Sequence, residues 1–325
     1  MFKKIISTAV MAFAVLSGGA AHAQDADKSI NFGFISTESS SNLRQDWQPI
    51  LDGLSKKLGV KVNAFFASDY AGVIEGMRFG KVQVAWFGNE SAMQAVDRAS
   101  GEVFAHKVNA DGTQGYYSLV GVPKDSPIKS LDDLLKSAKS LSFGMGDPNS
   151  TSGFLVPSYY IFAKNNLDAK TAFKAIRSSN HEANILAVAN KQIDAAVFAS
   201  DTMDRIVARQ PDVAEKVRIV WKSPLIASDP LVWRKDLPQD TKTKIKEFML
   251  SYGAPGPNAA QELAQLAKLN LKGFAASSDA QLKPIRQLNL FKDKTKLEAD
   301  ATISADEKKT KLEDIDRKLA VLEKQ

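Results

Sequence analysis

The hydroxyl residues Ser150, Thr151 and Ser152 give this sequence its clearest chemical signal, because they directly precede an apolar helical pattern. Pro157 is tolerated only in the first turn of a helix, so we expect this helix to begin near Ser152 or Gly153. The free N–H groups of its first turn, the positive end of its dipole and the three hydroxyls would together suit a tetrahedral oxyanion. A helix cap needs only one such residue, so the run favours anion binding.

Other reactive groups are scarce in this sequence. After His22 the only imidazoles are His106 and His181, and the chain has no cysteine, which excludes a multi-histidine or thiolate metal site. The motifs H-E-x-x-H, G-x-S-x-G and G-x-x-x-x-G-K-[ST] of common hydrolases and nucleotide-binding enzymes are absent. We therefore predict no metal, no cofactor and no enzymatic activity.

The elements that must position these residues alternate between strand and helix, as their apolar spacing indicates. The predicted strands lie at residues 29–35, 60–66, 82–87, 116–122, 141–144, 193–199, 217–222 and 230–234. The predicted helices lie at residues 43–58, 71–79, 90–98, 131–138, 153–165, 182–190, 202–209, 239–252, 258–268 and 279–290. This alternation predicts an α/β fold with a mostly parallel sheet.

Length and composition suit a chain with two lobes. The protein has 325 residues, of which 44% are hydrophobic, enough for two cores. We predict a lobe 1 built from residues 24–118 and 228–303, and a lobe 2 built from residues 119–227. Ligands favour loops at the carboxyl ends of strands, which places a ligand cleft between the lobes. The absence of a Gly- or Ser-rich linker is consistent with closure about a hinge.

The N-terminal residues 1–23 are typical of a secretory signal peptide. Lys3 and Lys4 precede an apolar run, and the small residues Ala21 and Ala23 predict cleavage after Ala23. The apolar run is shorter than the roughly 20 residues of a membrane span. The net charge of +6 is only mildly basic and no nucleic-acid-binding motif occurs. We therefore expect a periplasmic protein without a nucleic-acid partner.

The C-terminal residues 304–325 are predicted to form a helix with a narrow apolar seam. The seam residues recur at spacings of three and four: Leu312, Ile315, Leu319 and Leu322. Such a seam packs either on its own lobe or on a second copy of the chain. With fewer than three heptads, both alternatives stay open, a homodimer included.

Several longer motifs resemble the phosphonate-binding receptors of bacterial ABC importers, over nearly the whole chain after the signal peptide. The runs that carry the resemblance are Asn31–Gly33, Ile35–Ser39, Asp69–Gly72, Gly76–Phe79, Gly146–Pro157, His181–Glu182, Leu186–Asn190 and Trp221–Leu225. The resemblance implies the type II-like, two-lobed fold of a periplasmic binding protein, a Venus flytrap with a C-terminal helix. It also implies a small-molecule phosphonate as ligand and a permease in the inner membrane as partner.

The same resemblance implies roles for eight residues. The phosphonate oxygens would be held by Ser150, Thr151, Ser152 and His181, with Tyr70 reaching across from the other lobe. Tyr116 would line the cleft, and Asp201 and Asp229 would hold the ammonium of 2-aminoethylphosphonate. Asp201 departs from the usual glutamate, so its reach to an amine is one methylene shorter.

By residue type alone, several of these side chains have ordinary structural explanations. His181 could cap a helix, and Tyr70 and Tyr116 could be packing residues. At its ordinary pKa of about 6.5, His181 would also lend a proton to a dianion. Phosphate, phosphite and methylphosphonate are alternative cargoes, and a sensor-kinase receptor or a secreted phosphonate or phosphate-ester hydrolase is an alternative function.

Overall fold

Strands and helices alternate in the computed structural model of the chain, which describes residues 29–324. The predicted signal peptide of residues 1–23 lies outside the described residues. The strands are β1 (Ile30–Phe34), β2 (Val62–Phe66), β3 (Val84–Trp86), β4 (Gly101–Asn109), β5 (Gly115–Tyr116), β6 (Ser118–Pro123), β7 (Ser142–Met145), β8 (Ala175–Ser178), β9 (Ala195–Ala199), β10 (Val217–Lys222), β11 (Ile226–Ala227), β12 (Pro230–Arg234) and β13 (Leu271–Ala276).

Helices pack around these strands. The α-helices are α1 (Ser40–Leu58), α2 (Tyr70–Arg78), α3 (Asn89–Arg98), α4 (Leu131–Ser137), α5 (His181–Ala189), α6 (Ser200–Arg209), α7 (Pro211–Ala214), α8 (Gln239–Ser251), α9 (Ala259–Lys268), α10 (Lys283–Ala299) and α11 (Ala305–Lys324). Short 3₁₀ turns lie at Ala138–Ser140, Ala163–Asn165 and Asp279–Leu282, and π-helical turns at Thr151–Leu155 and Ser158–Phe162. None of the helices in residues 29–324 combines the length and apolar character that crossing a bilayer requires.

The strands form two main sheets, and both are mixed. The first has the order β13-β4-β12-β3-β1-β2 and the second the order β10-β6-β9-β7-β8. Parallel pairs join β1 to β2 and β3, and β7 to β8 and β9. After the second sheet, the chain returns to the first sheet as β12. This strand lies between β3 and β4 and runs antiparallel to both. The α/β prediction is confirmed, but the expectation of a mostly parallel sheet is wrong because of such inserted strands.

Two crossing segments connect the sheets. The first sheet draws on residues 30–109 and 230–276, and the second on residues 118–222. Between them, β5 and β11 pair as a two-stranded antiparallel ribbon. Below, lobe 1 means the residues packed on the first sheet and lobe 2 those packed on the second. The exact lobe boundaries predicted above stay a prediction.

The core of lobe 1 supports the wall of the cleft with stacked aromatic rings. Trp47 of α1 lies under β1, and its ring stacks on that of Trp86 at a centroid distance of 5.7 Å. Phe32 and Phe34 pack on the same indole, at 5.8 and 5.1 Å. Because Trp86 ends β3 next to the cleft, this stack fixes the position of its indole.

Several elements were missed or shortened by the sequence analysis. Strands β4, β8 and β13 were not predicted, and the helix expected at 279–290 continues as α10 to residue 299. Strand β4 carries Glu102, His106 and Lys107, which hide its apolar alternation. Polar residues in a strand weaken the periodic signal on which such predictions depend.

The C-terminal helix packs on its own chain. Helix α11 lies against α10, and the ammonium of Lys294 contacts Asp316 at 2.5 Å. Leu319 of the apolar seam is buried in this pairing, at 8% exposure. The seam therefore has a partner inside the same chain, which corresponds to the first of the two alternatives.

Candidate ligand-binding site

One cavity between the lobes brings together all eight residues predicted for the site. They are Tyr70, Tyr116, Ser150, Thr151, Ser152, His181, Asp201 and Asp229. Seven of these side chains are buried, and that of Asp201 is 13% exposed. The cavity is small, and residues of both lobes enclose it, which suits a small solute. Their individual roles toward a ligand stay predictions.

Five helical segments begin at this cavity. Capping or first-turn residues of α2, α3, α5, α6 and the π-helical segment (residues 151–162) line it: Tyr70, Gly88, His181, Ala199 and Ser150. Each helix start carries partial positive charge on its unpaired N–H groups. Within residues 29–324, no lysine or arginine lines the cavity. Backbone dipoles therefore favour an anion here without a cationic side chain.

The hydroxyl run opens a helix of unusual geometry. The N–H of Leu155 donates to the Ser150 carbonyl at 3.0 Å, five residues back, and that of Val156 to the Thr151 carbonyl. The N–H groups of Thr151 and Ser152 belong to the first turn and therefore lie outside the helix's own ladder. Single π-helical turns are frequent at functional sites.

The position of Pro157 corrects one expectation. The helix begins at Thr151, so Pro157 lies beyond its first turn instead of within it. In π-helical pairing, the residue at position 157 donates its N–H to the Ser152 carbonyl, but proline has no N–H to donate. The hydroxyl of Ser118 donates to that carbonyl instead, at 2.6 Å. A side chain from β6 thus satisfies the acceptor that proline leaves open, which makes the proline tolerable.

Gly153 allows the helix start to lie close against the loop after β7. The N–H of Gly146 donates to the Gly153 carbonyl at 2.7 Å. A Cβ on Gly153 would lie 2.9 Å from the Gly146 Cα, 2.9 Å from the Ser150 Oγ and 3.0 Å from the His181 Cε1. Only glycine fits this position without displacing two predicted site residues.

His181 is a neutral donor in this structure. Burial lowers the pKa of its imidazole to about 4. Its Nδ1 accepts the N–H of Ala199 at 3.2 Å, so the proton of the neutral ring lies on Nε2. Nε2 lies 3.4 Å from the Ser150 Oγ. The expectation of an ordinary pKa near 6.5 was therefore wrong, because the ring is desolvated.

Tyr70 and Tyr116 bring two phenols to the cavity. Burial raises the pKa of both well above the usual value, and the negative charge of Asp229 raises both further. Both hydroxyls therefore stay protonated and can donate. The backbone N–H of Tyr70 also donates to Asp147 of lobe 2 at 3.0 Å, which ties α2 to the other lobe.

Lys107 is a site residue that the sequence analysis missed. Its ammonium lies 3.1 Å from the Asp201 Oδ2 and 3.3 Å from the Asp229 Oδ2. It also lies 4.4 Å from the ring centroid of Trp86, whose Nε1 donates to the Asp229 Oδ2 at 3.1 Å. Lys107 does not line the cavity; it contacts the two aspartates from behind. Its alternation with Val103 and Ala105, both buried on β4, is the signal that could have revealed it.

The two aspartates respond differently to this environment. Burial alone would raise the pKa of Asp201, but the charges of Lys107 and Arg205 hold it well below its usual range. Burial raises the pKa of Asp229, with Lys107 offsetting part of the effect and the charge of Asp201 adding to it. Arg205 lies 3.6 Å from the Asp201 Oδ2. Asp201 is therefore the firmly ionised carboxylate of the pair.

Two buried oxygens at the cavity lack a hydrogen-bond partner among residues 29–324. They are Thr37 Oγ1 and Asp229 Oδ1, and both residues line the cavity. A buried polar atom without a partner costs free energy, so such atoms often mark a place that a ligand group fills. Thr37 was missed as a site residue, although it lies in one of the runs that carry the family resemblance.

Ion pairs between the lobes hold the cavity closed. Arg205 contacts Glu38 at 2.5 Å, and Arg209 contacts both Glu38, at 3.1 Å, and Asp46. Glu182 of lobe 2 accepts the N–H of Ser39 at 2.9 Å. These contacts pair the loop before α1 and α1 itself with α5 and α6, and they bury Glu38 and Arg205, while the Arg209 side chain stays 28% exposed.

No group of three or more potential metal ligands comes together among the described residues. The lining instead offers neutral donors on Ser150, Ser152 and His181, together with the paired carboxylates of Asp201 and Asp229. Such an arrangement can bind an oxyanion and orient whatever is attached to it.

Comparison with known proteins identifies the family. The family of periplasmic substrate-binding proteins of phosphonate ABC transporters matches residues 32–282. The phosphonates-binding periplasmic protein of Escherichia coli is 52% identical over 304 residues, which cover 94% of this chain and 88% of that protein. The phosphate-import protein PhnD of Mycolicibacterium smegmatis is 34% identical over 67% of this chain and 70% of its own length.

A crystal structure agrees with these matches. The binding protein component of an ABC phosphonate transporter from Pseudomonas aeruginosa superposes with a TM-score of 0.88 at 54% identity, covering 91% of this chain and 97% of that one. The two-lobed fold of a periplasmic binding protein, predicted from the sequence, is thereby confirmed. The chain belongs to the family of periplasmic phosphonate-binding proteins that serve ABC transporters.

Proposed function

We propose that the cavity binds the PO₃ group of a phosphonate at the end formed by Ser150, Thr151, Ser152, His181 and Tyr70, called here the headgroup end. The observation that carries the proposal is the convergence of five helix N-termini on a cavity without a lysine or arginine in its described lining. A periplasmic receptor of this family acts without making or breaking bonds. It encloses its solute and delivers it to the permease of the transporter.

The number of donors is sufficient for useful affinity. Hydrogen bonds to a charged group contribute ~1.5–3 kcal/mol each, so four such donors reach the ~8 kcal/mol of a micromolar complex. The neutral imidazole of His181 supplies one N–H, and the hydroxyls of Ser150, Thr151 and Ser152 supply the others. The hydroxyl of Thr151 also accepts the N–H of Glu90 at 2.8 Å, which leaves its own proton free to donate.

The part of the cavity around Asp201 and Asp229, called here the tail end, bears on the finer identity of the cargo. The prediction of 2-aminoethylphosphonate depends on these carboxylates being available to an ammonium. Both already contact the ammonium of Lys107, at 3.1 and 3.3 Å. We therefore propose the headgroup as the recognised feature and keep 2-aminoethylphosphonate as one cargo to be tested.

Inorganic phosphate is a second candidate cargo, favoured by the small size of the cavity and by the phosphate-import protein among the relatives. Calorimetric titration with phosphate, phosphite, methylphosphonate, ethylphosphonate and 2-aminoethylphosphonate tests the choice. We expect every phosphonate to bind. Tight binding of phosphate with no binding of any phosphonate would overturn the phosphonate assignment.

A variant at the headgroup end tests the location of the site. Ser152→Ala should weaken every ligand that binds by roughly tenfold, because one charge-assisted hydrogen bond is lost. Thr310→Val on the exposed face of α11 serves as a control and should leave each affinity unchanged. Unchanged affinity in Ser152→Ala would place the headgroup elsewhere.

The remaining proposals concern processing and assembly. We propose cleavage after Ala23, which N-terminal sequencing of the exported protein tests; a different first residue would reject it.

A homodimer through residues 304–325 competes with the packing of the same seam on α10. Light scattering of the full chain and of a chain that ends at residue 303 distinguishes these, since only a dimer would halve its mass.

A further inference from the structure

Lys107 is held in a fixed place behind the tail end. Its backbone N–H donates to the carbonyl of Asp229 at 3.1 Å, so β4 and the residue before β12 present the two side chains next to each other. Its side chain is 7% exposed. Its ammonium lies over the indole of Trp86, and that indole is itself stacked on Trp47. A lysine packed in this way cannot turn away without leaving two buried carboxylates short of a partner.

Both carboxylates of the tail end already contact cations of the chain. Asp201 contacts both Lys107 and Arg205, and Asp229 contacts Lys107. Arg205 is shared with Glu38, which is in turn paired with Arg209. Nearby like charges disfavour one another strongly in a buried site. A ligand ammonium placed between these aspartates would therefore meet a lysine ammonium that contacts the same carboxylates.

One carboxylate oxygen of the tail end has no hydrogen-bond partner within residues 29–324 and could accept a hydrogen bond from an uncharged donor. Both contacts of Lys107 are to Oδ2 atoms, and the Asp229 Oδ1 is buried without a hydrogen-bond partner among the described residues. Thr37 Oγ1 at the same cavity is in the same condition. A hydroxyl on the ligand tail can donate to such an oxygen without adding a charge.

We propose, on the basis of the function proposed above, that Lys107 acts through Asp201 and Asp229 to set the selectivity of the tail end, so that phosphonates with an uncharged, hydroxyl-bearing tail are preferred over aminoalkylphosphonates. Lys107 is thus a positioning residue: it touches no ligand and supplies, from the chain itself, the cation that an aminated ligand would otherwise bring.

The test compares two ligands that differ only in tail charge, 2-hydroxyethylphosphonate and 2-aminoethylphosphonate. Their affinities are measured by calorimetry on the wild-type protein and on Lys107→Met, which keeps an apolar stem of similar length and removes the charge. Lys272→Met, on an exposed position of the neighbouring strand β13, is the matched control. A change that merely loosens the fold would weaken both ligands together, whereas the selectivity ratio reports the charge.

We expect the wild-type protein to bind the hydroxylated ligand at least as tightly as the aminated one. In Lys107→Met the ratio should shift by roughly tenfold toward the aminated ligand, which corresponds to about 1.4 kcal/mol. Should Lys107→Met fail to fold, the double variant Lys107→Met with Asp201→Asn removes one charge of each sign and should keep binding of the hydroxylated ligand.

Two results would overturn the inference while leaving the proposed function intact. One is tighter binding of the aminated ligand than of the hydroxylated ligand by the wild-type protein, and the other is an unchanged ratio in Lys107→Met. If the wild-type protein binds neither ligand nor any phosphonate of the wider panel, the proposed function itself fails, and the inference falls with it.

Discussion

The headgroup end and the tail end of the cavity handle charge in opposite ways. At the headgroup end the chain offers uncharged donors at helix starts: three hydroxyls, a phenol and the neutral imidazole of His181, whose pKa burial lowers to about 4. At the tail end it buries formal charges and pairs them, with Lys107 between Asp201 and Asp229.

Under the proposed function, this difference follows from the charge that each end would hold. A phosphonate headgroup brings its own charge, so fixed dipoles suffice and a buried cation would only add a desolvation cost. Buried carboxylates need a permanent partner whether or not a ligand is present. The headgroup end therefore depends on backbone geometry, and the tail end depends on ion pairs. Each of the following predictions tests one side of this comparison.

The largest effect is expected from Gly153→Ala at the headgroup end. The added Cβ would lie 2.9 Å from both the Gly146 Cα and the Ser150 Oγ, so the helix start must move away from the loop after β7. Loss of two charge-assisted hydrogen bonds weakens binding by roughly 100-fold. Calorimetry on any bound phosphonate measures this loss.

Gly256→Ala is the control for that substitution, since its added Cβ would meet only the Ala254 carbonyl, at 3.9 Å. It should bind like the wild type. If Gly153→Ala also retained full affinity, binding at the headgroup end would not depend on the backbone geometry of the helix start. That result would contradict the difference drawn between the two ends.

The second prediction concerns the protonation of His181. Its pKa of about 4 in the folded protein lies below the ~6.5 of an unfolded chain, so the unfolded state takes up a proton first as the pH falls. The stabilisation is thus fully present above pH 6.5 and is lost as the pH falls toward 4. Between pH 7 and 4.5 the loss is roughly 2 kcal/mol.

Urea unfolding of the wild type and of His181→Gln at both pH values measures this contribution as a difference between the two proteins. The variant should lose less stability on acidification than the wild type. His106→Gln keeps His181 in place and should behave like the wild type. An equal loss in His181→Gln and the wild type would mean that folding does not lower the pKa of His181, and that the ring would be protonated at mildly acidic pH.

Much of the headgroup end could be predicted because it is local in sequence. Ser150, Thr151 and Ser152 are consecutive, and the helix that follows them leaves a periodic pattern. The hydrogen bond that satisfies the Ser152 carbonyl could not be foreseen, because its donor is the Ser118 hydroxyl, 34 positions away. The neutrality of His181 depends on burial, which only the folded chain creates.

The tail end was predicted less completely because its contacts are distant in sequence. Asp201 and Asp229 came from family resemblance, and both line the cavity. Their partner Lys107 is 94 positions from Asp201. It lies on β4, a strand that was not predicted because its polar residues interrupt the apolar alternation. A lysine on the buried face of a strand looks like an error in the apolar pattern until the two carboxylates are found beside it.

The smallest effect is expected from Thr37→Val, at a residue of the cavity that belongs to neither of the two groups compared. The Thr37 hydroxyl is buried at the cavity without a partner among the described residues. If a ligand group fills that place, the substitution weakens binding by several-fold, about 1 kcal/mol for one neutral hydrogen bond. The unliganded protein should at the same time keep or gain stability, since valine removes an unsatisfied polar atom. Calorimetry and thermal unfolding of the same variant separate these outcomes: reduced affinity together with undiminished stability assigns the hydroxyl to the ligand, whereas unchanged affinity removes Thr37 from the site.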